Sequence, residues 1–114
     1  MDTLADKIKG VGLNRVAVSV AEWADALGGE QLYVRELTGA ERGELEATIT
    51  EGADIGKLRL RLVAQSLVTE NGDKVFGKPA EVAGLAGSVV GRISDLALKV
   101  SGFTDTALDD AVKN

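Results

Sequence analysis

The chain has 114 residues, of which 45% are hydrophobic, and its formal net charge is -5 from 18 acidic and 13 basic residues. This length fits one domain, and the apolar content suffices for a real core, which excludes a chain that is disordered throughout. Because Lys and Arg form no cluster in this acidic sequence, binding to nucleic-acid phosphates or to an anionic membrane surface is disfavoured.

The sequence contains no Cys and no His. This excludes disulfides, thiol nucleophiles, thiolate metal sites, imidazole ligands and His-based acid–base catalysis. The opening residues MDTLADKIKG are charged and lack the apolar centre of a signal peptide, and no run reaches the ~18 apolar residues of a membrane span. We therefore expect a cytoplasmic protein.

Residues 1–14 are predicted to form a flexible N-terminal segment, as is common at chain termini. Within it, Thr3 and Asp6 have the spacing to cap a short helix, and Gly10 favours its end. The folded domain is expected to begin at residue 15.

A β-hairpin is predicted over about residues 15–37. Three valines recur at every second position in RVAVSVAEW (15–23), and LYVREL (32–37) alternates again, which is typical of strands. The Gly28-Gly29 pair between them predicts an antiparallel turn. Trp23 is interpreted as a packing anchor. A hairpin of this size is marginal alone, so it must pack on helices.

The next helix is predicted over about residues 39–51. Thr38 and Glu41 have the spacing of a capping box, in which each side chain bonds the other residue's backbone N–H. Leu45 and Ile49 lie one turn apart and supply an apolar face. The helix is expected to stop near Gly52.

The apolar pattern of residues 54–68 fits either a strand or a helix. Three leucines alternate with arginines as in a strand, whereas Ile55, Leu58 and Leu62 also lie at helical spacing. The length of the segment, about twice that of an ordinary strand, favours a helix.

The stretch VTENGDKVFGKP (68–79) contains several oxygen-bearing side chains. Its spacing does not match a calcium loop, and Lys74 lies where a ligand would be needed. Asn71-Gly72 instead predicts a tight type I′ turn, because both residues tolerate positive φ. Val75 and Phe76 are then expected to return to the core.

Three further helices are predicted in the C-terminal part, at about residues 79–86, 88–101 and 105–112. Pro79 suits a first helical turn, and Gly102 suits a C-terminal cap. The fold class is therefore mainly α (α+β): one small helical domain over residues 15–114, with an N-terminal β-hairpin packed on the helices.

One face of the predicted helix 88–101 is rich in small residues and lies opposite the apolar stripe of Val89 and Ile93. Its members are Gly87, Gly91, Ser94 and Leu98. Small residues permit close approach of another helix, and Leu98 would otherwise be a lone exposed apolar side chain. We expect this face to bind a partner helix or a second copy, so that Leu98→Asp abolishes binding without unfolding. The alternative is a set of scattered surface residues.

No catalytic constellation is present. Neighbouring carboxylates such as Asp109 and Asp110 point in different directions on a helix, and no His, Cys or Gly-Ser nucleophile motif accompanies them. The Gly-rich stretch GLAGSVVG (84–91) lacks the Lys-Ser/Thr ending of a phosphate-binding loop and the strand that precedes a dinucleotide site. We expect a protein that is not an enzyme and that has no cofactor or metal.

Three stretches follow one another in a familiar order. The first is VRELT with Glu41-Arg42 at a helix start (34–42). The second is a turn over residues 66–76, followed by a helix with the pattern of Glu81, Val82 and Leu85. The third is a Ser-Gly-Phe-Thr corner with an acidic tail (101–110). This order, over most of the folded domain, resembles the tail assembly chaperones of bacteriophages with long, non-contractile tails.

The resemblance implies a chain that coats the helical, hydrophobic tape measure protein in the host cytoplasm, keeps it soluble, recruits tail tube subunits and leaves before the virion matures. The family commonly makes a longer product by programmed ribosomal frameshifting, and Lys113-Asn114 would fit a slippery site if encoded AAA-AAC after a codon ending in A. The alternative is another small phage morphogenesis protein, such as a head–tail joining component retained in the particle.

Overall fold

The computed structural model describes residues 3–103, so the predicted helix 105–112 lies outside the described residues. The helices are α1 (Leu4–Lys9), α2 (Ala24–Leu27), α3 (Gly39–Thr50), α4 (Ile55–Ser66), α5 (Pro79–Val82) and α6 (Gly87–Val100), and a 3₁₀ turn occupies Ala21–Trp23. The strands are β1 (Arg15–Val18), β2 (Leu32–Arg35) and β3 (Leu67–Thr69). Helices packed on a small antiparallel sheet confirm the α+β class.

The three strands form one antiparallel sheet in the order β1-β2-β3. The predicted antiparallel pairing of the two N-terminal strands is confirmed, with Val16 opposite Val34. The prediction of a Gly-Gly hairpin turn between them is wrong. The chain after Val18 forms the 3₁₀ turn and α2 instead, and Gly28, with φ +57°, ends α2 in the left-handed conformation that glycine tolerates. Ala-rich AEWADAL favours a helix over a strand here.

Capping residues fix the starts of α3 and α4. The Thr38 hydroxyl accepts from the Glu41 N–H at 3.2 Å, and the Glu41 carboxylate accepts from the Thr38 N–H at 2.9 Å, which completes the predicted capping box of α3. Asp54 caps α4 by accepting from the Gly56 N–H at 2.7 Å. The chain between them turns at Gly52, where φ is +81°.

Residues 54–68 are helical through Ser66, in agreement with the argument from length. The last residues continue without a loop into β3, which the sequence does not predict. β3 forms because Leu67 lies opposite Val34 in the sheet, so pairing with a distant strand outweighs local helical spacing.

The turn after β3 differs from the predicted type I′ turn. The Gly72 N–H donates to the Thr69 carbonyl at 2.9 Å, and the Thr69 N–H donates to the Asp73 carbonyl at 2.8 Å. In the described residues positive φ occurs at glycines only, so Asn71 does not adopt the left-handed conformation that type I′ requires. The bonds match a three-residue loop, a type I turn followed by left-handed Gly72 with φ +90°.

α6 is the central helix and ends in a Schellman motif. The Gly102 N–H donates to the Lys99 carbonyl at 3.1 Å, and the Phe103 N–H donates to the Leu98 carbonyl at 2.9 Å. Gly102 has φ +90°, so the predicted cap is present. α6 contacts both the sheet and α4.

Two apolar clusters form the core. The first joins the sheet, α4 and the sheet side of α6, and it includes Val34, Val63 and Ile93. The second joins α3, α4 and the other side of α6, with Leu37, Leu45, Leu58, Leu62 and Leu98 at its centre. Half-buried Trp23 packs on the first cluster with its ring 6.4 Å from that of Phe76, edge to face.

Candidate functional site

The predicted partner-binding face of α6 is divided by the fold. Ser94 is completely buried and Leu98 is 3% exposed, whereas Gly87 is exposed and Gly91 is half-buried. The expectation that Leu98 is exposed unless a partner covers it is therefore wrong. Because Leu98 packs inside the second core cluster, Leu98→Asp would disrupt the fold and cannot report on partner binding.

Of these small residues, Ser94 does contact another helix, but that helix is α4 of the same chain. The Ser94 hydroxyl accepts from Arg59 of α4 at 2.7 Å and donates to the Gly91 carbonyl at 3.0 Å. α6 thus buries two faces, one on the sheet and one on α4. The apolar stripe of Val89 and Ile93 predicts only one buried face, because an amphipathic helix normally exposes its opposite face to solvent.

An open groove lies between the N-terminal half of α4 and the segment that joins α5 to α6. It has a cavity volume of about 440 Å³. We call it the α4–α6 groove. Its apolar floor is made by Leu60, Ala83, Leu85 and Val90, and the two glycines Gly56 and Gly87 complete its wall.

Gly87 is the predicted site residue that lines the α4–α6 groove. A Cβ atom added at Gly87 would meet no other atom within 4 Å, so the missing side chain keeps the groove open there. A Cβ atom added at Gly91 would also meet no other atom within 4 Å, but Gly91 does not line the groove. Partner binding at either glycine stays a prediction.

The sequence does not predict Leu60, Ala83 and Leu85 as site residues. Leu60 lies off the Ile55, Leu58 and Leu62 stripe of α4, which is a signal for a second apolar face. Leu60 and Leu85 are both half-buried, and they pack against the edge of the first core cluster while part of each surface faces the groove.

Charged residues line the rim of the groove. Arg59 donates to the Ser94 hydroxyl and to the Asp95 carboxylate at 2.7 Å each, which fixes it and offsets its charge. The Asp54 carboxylate is engaged as the cap of α4. Lys57 is exposed, and neither Lys57 nor Asp54 forms an ion pair with any residue of 3–103, so the rim carries one unpaired charge of each sign.

Among residues 3–103, the ionisable groups with shifted pKa values lie outside the groove. Hydrogen bonds from Arg35 lower the pKa of Glu41 to about 2. A hydrogen bond from Arg92, at 2.6 Å, lowers the pKa of Glu22. Both shifts are those of ion-paired carboxylates, which favours a structural role over proton transfer.

Within residues 3–16, five large apolar side chains are exposed. They run from α1 into β1 and comprise Leu4 (74%), Ile8 (63%), Val11 (76%), Leu13 (43%) and Val16 (40%). α1 itself buries none of its side chains, although Thr3 and Asp6 form the predicted capping box. The N-terminal segment thus presents a second apolar surface, separate in sequence from the α4–α6 groove.

Among residues 3–103, no group of three or more acidic side chains is arranged to hold a metal ion. No helix in that part of the chain has the length and apolar character to cross a bilayer. Comparison of the sequence and structure with protein-family models, curated proteins and solved structures gives no match. Function is therefore inferred from the residues and from the α4–α6 groove.

Proposed function

We propose that the chain is a tail assembly chaperone of a bacteriophage with a long, non-contractile tail. It binds the tape measure protein in the host cytoplasm, keeps it soluble, promotes assembly of tail tube subunits and is absent from the mature virion. The ordered stretches that resemble this family support the proposal. The observation that carries it is an open apolar groove with no candidate catalytic group among its lining residues.

The α4–α6 groove suits the apolar face of a helix. A helix bound in a groove presents side chains at i, i+3 and i+4, and these would lie on Leu60, Leu85 and Val90. Each aliphatic side chain that is fully buried contributes roughly 1.5–3 kcal/mol. Two or three such side chains give a reversible complex, which is what an assembly factor that later leaves requires.

The charge of the chain suits a solubilising coat. The net charge of -5 gives bound copies a common negative sign, so that a coated partner is kept from aggregating. At the groove itself, the rim carries both the Asp54 carboxylate and exposed Lys57. The groove therefore favours the apolar face of a helix and sets no sign for the charges beside that face.

Co-expression with the tape measure protein encoded beside this chain tests the proposal. We expect the wild-type chain to move the tape measure protein into the soluble fraction and to co-purify with it. Gly87→Phe should abolish this effect, because the ring would occupy the open space at position 87.

Gly43→Phe is the matched control. Gly43 also lies in a helix, is exposed, and has no atom within 4 Å of an added Cβ, but it is outside the groove. Both variants replace a helical glycine and should fold as well as the wild type. A tape measure protein that stays insoluble with the wild-type chain would contradict the function. Equal rescue by the two variants would contradict the groove as its site.

A further inference from the structure

The sheet has one closed edge and one open edge. Beyond β3, the chain returns after the turn, with Lys74 bridged to Val68 and the Val75 N–H donating to the Leu67 carbonyl at 3.1 Å. On the opposite side, β1 pairs with β2 and with no other strand of residues 3–103. Within residues 3–103, the outer edge of β1 is therefore open.

The hydrogen-bond pattern shows which backbone groups face this edge. The Glu36 N–H donates to the Asn14 carbonyl at 2.8 Å. Since bonded pairs alternate along an antiparallel ladder, Val16 and Val18 bond inward to β2, whereas Arg15 and Ala17 direct their N–H and C=O groups outward. No residue of the described part of the chain bonds those outward groups.

Apart from its short length of four residues, β1 lacks the usual protection of an edge strand. Such strands commonly carry a proline, a bulge or a projecting charge that blocks pairing with another chain. β1 has the sequence Arg-Val-Ala-Val, and its charge is folded back on its own sheet. The Arg15 guanidinium lies 4.1 Å from the centre of the Tyr33 ring and donates to the Glu70 carbonyl at 2.7 Å.

We propose that β1 pairs antiparallel with β1 of a second copy, with Val16 on the two-fold axis. In this register Arg15 lies opposite Ala17 of the partner copy. Each of these two residues donates its N–H to the carbonyl of the other, and the two-fold axis repeats this bonded pair. Val16 then faces its own copy as a non-bonded pair, the type in which Cα atoms approach to about 4.5 Å. Its 40% exposed side chain becomes buried against an identical side chain.

Neighbouring registers are less favourable. Centring the pair on Arg15 would bring two like charges directly opposite each other. Centring it on Ala17 would require Ser19, which lies beyond the end of the strand, where the chain turns into the 3₁₀ segment. The Val16 register uses both outward-facing residues of β1 and places the small Ala17 beside the partner's arginine.

Pairing through this edge stops at two copies. The two-fold contact consumes the open edge of each sheet, and the other edge is closed by residues 73–75, so the assembly cannot extend into a fibre. A continuous six-stranded sheet results. This dimer follows from β1 alone and does not depend on the proposed chaperone function.

Single cysteines in this cysteine-free chain test the register. In a glutathione redox buffer we expect Val16→Cys to form a disulfide-linked dimer, because Cα atoms about 4.5 Å apart lie within the span of a disulfide. Ala17→Cys and Val11→Cys should remain monomeric under the same conditions. The two Ala17 residues are diagonal neighbours across the contact and are therefore too far apart to cross-link. Val11, which is 76% exposed, controls for non-specific association through exposed apolar residues.

Sedimentation of the full chain provides the second arm. We expect a dimer at about 100 µM, where an interaction with a Kd tighter than that is populated. Ala17→Pro should abolish it, since proline removes an outward N–H without costing a bond to β2. A monomeric wild-type chain would overturn the proposal and would mean that β1 does not pair with β1 of a second copy. Cross-linking of the Ala17 or Val11 cysteine as fast as that of the Val16 cysteine would also overturn it.

Discussion

Two serines, Ser66 and Ser94, are completely buried, and their hydroxyl groups differ in hydrogen bonding. The Ser94 hydroxyl has a donor in Arg59 and an acceptor in the Gly91 carbonyl. The Ser66 hydroxyl has no partner in the described part of the chain. A buried hydroxyl without a hydrogen-bond partner destabilises the folded state. Removing a buried hydroxyl that does form hydrogen bonds is also destabilising, because its former partners lose those bonds.

Alanine substitutions at these positions should therefore change stability in opposite directions. We expect Ser66→Ala to raise the free energy of unfolding by about 1 kcal/mol and Ser94→Ala to lower it by about 1 kcal/mol. Urea denaturation followed by circular dichroism measures both. A loss of stability in Ser66→Ala equal to that in Ser94→Ala would show that the Ser66 hydroxyl is satisfied.

At the scale of single residues, local signals are predictable and burial is not. The capping residues Thr38 and Glu41 follow from spacing along the chain, because each bond spans three residues. The burial of Leu98 depends on α4, which approaches from a distant part of the sequence. The sequence shows that Leu98 is off the main stripe, but not that a second helix covers it.

An ion pair joins β2 to α3. Arg35 donates two hydrogen bonds to the Glu41 carboxylate, at 2.8 and 2.9 Å, and both side chains are largely buried. These bonds, with a smaller contribution from the Thr38 N–H, lower the pKa of Glu41 from 4.5 to about 2. One carboxylate thus caps the helix and holds it against the end of the strand.

This pair predicts a pH dependence of stability. The folded-state pKa of Glu41 is depressed, so its contribution is complete above pH 4.5 and is lost as the pH falls toward about 2. We expect Glu41→Gln to lower the free energy of unfolding at pH 7 by on the order of 2 kcal/mol. The difference from wild type should shrink in acid, since glutamine keeps the cap geometry but lacks the charge.

Denaturation curves of the two proteins at pH 7, 4 and 3 measure this difference. Since the other carboxylates titrate in both proteins, their contribution cancels in the comparison. A gap between the two proteins that is the same at every pH would mean that the charge of Glu41 is not what stabilises the contact.

At the scale of elements, the sequence predicts those whose limits are set locally. α3, α4 and α6 each have a cap residue or a glycine at an end, and their positions agree closely with the sequence analysis. β3 and the segment after β1 are not predicted. β3 exists because β2 pairs with it, and β1 ends at Val18 because the alanine-rich stretch that follows favours a helix.

The α4–α6 groove is a property of the whole molecule. Its walls come from residues 54–60 and 83–90, which the packing of α4 against α5 and α6 brings together. The Gly-rich stretch around Gly87 is visible in the sequence. The residues of the opposite wall are not predictable in the same way, because they depend on which side of α4 the rest of the fold leaves uncovered. The three-stranded sheet lies behind α6 and keeps one side of that helix in place.

Site-specific photo-crosslinking in the complex with the tape measure protein tests the central claim most directly. A photoreactive phenylalanine at position 57 would lie on the rim of the groove, and one at position 99 would lie at the far end of α6. Both replace exposed lysines that form no ion pair within residues 3–103. We predict a cross-link to the tape measure protein from position 57 and none from position 99. Equal yields from the two positions, or none from position 57, would contradict binding in the groove.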